Sequence, residues 1–101
     1  MNPEQQQEIV RAVVSDYFDK YGKEYLLIDI FMFQKEHIIE IGTSILCTKW
    51  SVGYPGGSFV QAVVNNDLAE AFGRADDINI HSIRFYVMLM YNVGAPTALF
   101  Q

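Results

Sequence analysis

A single cysteine, a thin supply of charge and the absence of any long apolar run remove several classes of protein at the outset. Cys47 is the only cysteine, so the chain can form no internal disulfide, and a reducing, cytoplasmic setting follows most simply. The longest apolar stretch, Tyr25 to Phe33, is interrupted by Asp29 and is far shorter than a bilayer span, so no membrane partner is expected. Residues Met1 to Glu8 have neither a basic segment nor an apolar core, which does not read as a signal peptide. Charged residues make up 19% of the chain, below the usual quarter. The seven basic residues are scattered and form no run or stripe. With a net charge of −5, general nucleic-acid binding is not expected, because phosphate recognition rests on clustered Lys and Arg.

What is present is apolar. Half of the 101 residues are hydrophobic and 14% are aromatic, a composition that folds rather than remaining disordered. The length corresponds to one domain, residues 1 to 101. The charge is uneven. From Ser51 onward only Asp67, Glu70, Arg74, Asp76, Asp77 and Arg84 are charged. Either this half is partly hidden in a homo-oligomer, or it supplies more of the monomer core.

The periodicity predicts an all-α fold, a small bundle of four to five helices with a C-terminal helical hairpin. Asn2, Pro3 and Gln5 form a helix start, followed by apolar residues at helical spacing from Ile9 to Tyr21 and a stop at Gly22. Residues 24 to 50 are left open between helix and part strand, since a short apolar run has no decisive period. Ser51 to Gly57 contains Gly53, Pro55, Gly56 and Gly57 and reads as a loop. A helix capped by Ser58, with Gln61 completing a capping box, is predicted to run to about Gly73. A second helix starts at Asp76 or Asp77 and ends at Gly94, ahead of Pro96.

No nucleotide-binding loop, dinucleotide fingerprint or paired His–Glu metal motif is present. His37 and His81 stand alone, too few for a metal site, and no cofactor is implied. Cys47 reads as an inert buried thiol.

Four features stand out as candidate ligand- or partner-binding residues. The Gly56-Gly57-Ser58 turn into a helix suits an anion, and equally makes an ordinary cap. Asn66 and Asp67 fall inside the predicted helix, so at least one should be partly buried with a polar partner such as Arg74. They form either a structural network or the floor of a polar pocket. Arg74, Asp76 and Asn79 lie at the next helix start, where Arg74 suits a carboxylate or phosphate. Along one continuous helix Ser58 and Arg74 lie about 24 Å apart, so a small ligand reaches both only across an antiparallel dimer. Trp50 and Tyr54 flank the glycine loop, either as an exposed recognition pair or as a staple over the core.

The stretch from Gly56 to Asn79, with Tyr91-Asn92 and Ala95-Pro96, resembles a group of small phage and prophage proteins. The matching positions are Gly57, Ser58, Phe59, Asn66, Asp67, Leu68, Arg74, Ala75, Asp76 and Asn79. The resemblance spans about the last 45 residues of the sequence. Gly56 stands where the group often has proline, and the tail from Thr97 differs. The group carries no established activity to transfer. The resemblance implies a non-catalytic viral accessory protein in the host cytoplasm that binds and modulates a host protein, for instance in defence or transcription. Two other readings compete with it. One is an oligomer that sequesters a small phosphorylated ligand such as a nucleotide signal. The other is a DNA-binding regulator, disfavoured because the last helix carries only Arg84.

Overall fold

The computed structural model describes residues 1 to 100. Among them are seven α-helices and a closing 3-10 turn, and no strand. The all-helical bundle expected from periodicity is what forms.

The first helix, α1 (Pro3–Tyr25), starts as its sequence predicts. The Asn2 side chain accepts from the Gln5 amide at 2.9 Å, and the Gln5 side chain accepts from the Asn2 amide at 3.1 Å. Gly22 does not stop it. The helix runs on to Tyr25, and Gly22 is buried where an added Cβ would sit 2.8 Å from the Phe31 ring. Its role is close approach, not termination.

Residues 24 to 50 are helical throughout their regular parts, as α2 (Ile28–Phe33) and α3 (Lys35–Lys49), with Gln34 closing one and opening the other. Phe31 stacks on Phe18 of α1, with ring centroids 4.9 Å apart and planes at 6°.

The C-terminal half contains four helices where two were predicted. They are α4 (Ser58–Val64), α5 (Leu68–Arg74), α6 (Asp77–Ile80) and α7 (Ile83–Asn92). The first break falls at Asn66, whose φ of 57° is left-handed. The Asn66 amide donates to the Val63 carbonyl at 3.2 Å, and the Asp67 amide to the Ala62 carbonyl at 2.9 Å. This pair of reversed bonds is the Schellman ending of a helix, with Asn in the position glycine usually takes. Asp67 then caps α5, accepting from the Glu70 amide at 3.2 Å. The second break follows α6. There the buried Ser82 hydroxyl donates to the Ile78 carbonyl at 2.7 Å, a local bond that competes with helix continuation.

The core lies between α1, α3 and α7. Val10, Val14, Phe18, Ile38, Ile45, Leu46, Phe85, Tyr86 and Leu89 are fully buried there. Gly42 sits at the crossing of the three helices. A Cβ at that position would lie 2.9 Å from a Val14 methyl and 3.1 Å from a Leu89 methyl. Gly42→Ala is therefore expected to destabilise the fold by about 1 kcal/mol, because overpacking outweighs the gain in helix propensity. Gly42→Val should cost more. Urea titration of both variants checks the order; a stabilised Gly42→Ala would mean that the crossing has room.

Candidate functional site

The predicted site residues do not converge on one place. Gly57, not Ser58, is the N-cap of α4, and no side chain caps that end. Ser58 is the first helical residue, and the Gln61 side-chain amide reaches back instead, its Nε2 donating to the Gly56 carbonyl at 2.7 Å. The Gly56 amide is already engaged, donating to Thr48 Oγ1 at 2.9 Å. A side chain on Gly56 would collide with Val60, at 2.6 Å from its Cγ1, so this glycine lets the loop pack against α4. Trp50 and Tyr54 do not act as a pair. Trp50 packs partly buried against the core, whereas Tyr54 is 94% exposed.

Asn66 and Asp67 are both exposed, contrary to the expected burial. The expectation assumed an unbroken helix; the residues are the break itself. Arg74 does not meet Asp67 directly: its Nε donates to the Glu70 carboxylate at 3.1 Å, and the Glu70 backbone amide donates to Asp67 Oδ1 at 3.2 Å, so the two are joined only through that neighbour. The straight-helix separation of Ser58 and Arg74 likewise lapses, because two helices lie between them.

Asp76 and Asn79 do enter a polar cluster. Asp76 caps α6, accepting from the Asn79 amide at 2.7 Å. The Asn79 side chain is buried, and its Oδ1 accepts from the Tyr86 hydroxyl at 2.8 Å. His37 Nε2 lies 3.1 Å from the same oxygen and 3.7 Å from Asp76 Oδ2. Burial, aided by the Asp76 charge, pushes the Tyr86 phenol well above its ordinary pKa. The cluster ties α3 to α6 and α7, and each named group faces another within the protein. Among the described residues no serine, cysteine or lysine side chain is bonded into it as a nucleophile. The Cys47 thiol is buried elsewhere, and burial raises its pKa as well, which suits an unreactive thiol. No group of three or more His, Cys, Asp and Glu among the described residues is arranged to hold a metal ion. Among the described residues no helix is long and apolar enough to cross a membrane.

The surface is more informative than the interior polar cluster. On α2 only Ile30 is buried, while Ile28 and Met32, one turn apart, are exposed together with Leu27 and Phe33. Phe33 is 77% exposed. Leu27, Ile30 and Phe33 form one wall of an open groove whose other wall is Ile78 and His81. Asp29 and Asp77 also line this groove, and no Lys or Arg does. Neither carboxylate forms an ion pair among the described residues. Sequence reading missed this face because the run Tyr25 to Phe33 looked wholly internal. The one signal was Asp29 in its middle.

Comparison with known proteins places no relative beside this chain: no family model, no curated protein and no solved structure matches it.

Proposed function

We propose that the chain is a non-catalytic accessory protein that binds another protein through its α2 face and modulates it. Its resemblance to small phage proteins makes that partner a host protein, with defence or transcription factors as the class acted upon. The observation that carries the reading is the α2 face. Four large apolar side chains, Leu27, Ile28, Met32 and Phe33, stand exposed on and beside a six-residue helix. An exposed apolar cluster with a polar surround marks an interaction surface more often than a chance feature of a monomer. Aromatic and Met side chains are enriched at such interfaces.

Charge defines the occupant. The groove beside Phe33 holds two unpaired carboxylates and no cation, on a chain of net charge −5. Its complement is a partner segment that presents apolar side chains flanked by Lys or Arg.

A photo-crosslinking residue at position 33, in the full chain expressed in host cells, tests this. The expected capture is one predominant protein whose crosslinked segment is basic and apolar, lost on Ile28→Glu. Raising the salt concentration should weaken the complex through its charged rim. Capture of nothing specific, or of an acidic segment, would overturn the proposal.

A further inference from the structure

The break between α4 and α5 opens a second apolar channel, which shares no lining residue with the α2 groove. It runs beside α7 from Ile83 and Val87 to Met90, and Val63, Val87 and the exposed, uncharged Asn66 line both of its halves. Leu68 stands at one end and Tyr91 at the other, 67% and 79% exposed. The ends carry opposite charges. Asp67 lies at the Ile83 end and Lys49 at the Met90 end. The Lys49 ammonium donates to the Met90 carbonyl at 3.0 Å and meets no carboxylate, while Asp67 caps α5 through one oxygen and meets no cation among the described residues.

A surface with a positive end, an uncharged and mainly apolar middle and a negative end is its own complement under a two-fold rotation that reverses the channel. We infer that a second copy of this chain covers the channel in a two-fold dimer, with Lys49 of each copy facing Asp67 of the other. An unrelated partner would need to match the charge order independently; a second copy carries it by symmetry. The charge-poor composition of the chain from Ser51 onward agrees, since the dimer would bury apolar side chains of α4, α5 and α7 together. The inference stands apart from the α2 reading, because the two faces share no lining residue and each can fail alone.

The test is sedimentation equilibrium on the full chain. The wild type should be dimeric at a protein concentration of about 100 μM, well above the micromolar dissociation constant at the weak end of the range for interfaces of ordinary size. Lys49→Glu and Asp67→Lys should each weaken self-association by about tenfold or more, since each sets two like-charge pairs across the axis. Mixed one to one, the two variants should form a heterodimer about as tight as the wild type, because both cross-axis pairs are again opposite in charge. Circular dichroism confirms folding of each variant first. Asp67→Lys loses a helix cap, so Asp67→Asn, which keeps it, serves if the lysine variant does not fold; its mixture with Lys49→Glu should associate more tightly than either alone. A wild type that stays monomeric overturns the inference. So does a variant that dimerises like the wild type, or a mixture no tighter than its components.

Discussion

Phe85→Ala is expected to lower the unfolding free energy by about 3–5 kcal/mol, a large share of the total for a domain of this size. Phe85 is fully buried. Its ring lies 5.7 Å from Tyr17, 6.0 Å from Phe18 and 6.0 Å from Tyr86, centroid to centroid. Phe18 stacks on Phe31, and Tyr86 meets Phe59 at 6.0 Å. A continuous line of rings therefore crosses the molecule from α2 through α1 and α7 to α4, with Phe85 at its centre. Removing that ring forfeits its transfer free energy and leaves a cavity that the three neighbouring rings cannot readily collapse into. Phe33→Ala is the contrasting case. The same ring is deleted from an exposed position, and the change should stay within about 0.5 kcal/mol. Urea denaturation followed by circular dichroism compares the two. A loss below about 1 kcal/mol for Phe85→Ala would contradict a core centred on that ring. The line of rings also bears on function, because Phe31 anchors the inner side of α2 while Phe33 stands outward. Partner binding should therefore fall in Phe33→Ala without loss of stability, and stability should fall in Phe85→Ala before the α2 face itself is altered.

The elements that could be read from the sequence are those whose signals are local. Asn2 and Gln5 cap α1 through bonds three residues apart, and the apolar repeat from Ile9 to Tyr21 follows a single helix. The break at Asn65-Asn66-Asp67 was also local, yet it was misread. On a continuous helix these three poor helix formers fall on a wheel beside apolar residues, Asn66 near Phe59, Ala62 and Val63, and Asp67 near Val60, Val63 and Ala71, which predicts burial. In the structure Asn66 supplies a left-handed residue and Asp67 a cap, so the triplet is a stop followed by a start. The cap of α4 at Gly57 is hidden for a separate reason: a serine ahead of an apolar stripe imitates a cap even when the glycine before it holds the position. What could not be read is whatever depends on contacts between distant segments. His37 and Asn79 are 42 positions apart, and one sequence contains no pairing information to join them. The exposure of α2 was hidden for a related reason. A run that is apolar on all sides predicts burial on all sides, but a helix of six residues packs one side only, and the remainder becomes surface.

The buried Tyr86–Asn79 pair in that cluster leads to the second large effect, which appears at high pH. Tyr86 is fully buried, and its phenol is held well above its ordinary value of 10.0 by burial first and by the Asp76 charge second. The unfolded chain exposes the same phenol, which then titrates near 10. Below that pH the phenol is protonated in both states, so it contributes no pH dependence. Above it the unfolded state releases a proton that the folded state retains, and stability falls by about 1.4 kcal/mol per pH unit from this one group. Tyr17, raised chiefly by burial and partly offset by the Asn92 hydrogen bond, adds a slope of the same sign, and Cys47 begins to contribute somewhat lower, above its ordinary 9.0. Tyr86→Phe should therefore change stability in opposite directions at the two ends of the range. At pH 7 it removes the hydroxyl that donates to Asn79 Oδ1 and costs about 1 kcal/mol. His37 remains beside that oxygen at 3.1 Å, so Asn79 is not stranded. Above pH 10 the variant lacks the Tyr86 contribution to the alkaline loss of stability, and its stability curve should cross the wild type's and end above it. Urea midpoints measured from pH 7 to pH 11 decide the matter. Parallel curves would mean that Tyr86 is solvated in the folded protein. A crossing would place the cluster at the centre of the α3, α6 and α7 junction, which matters to the surface as well: α6 begins at Asp77 and includes Ile78, and both residues line the groove beside Phe33.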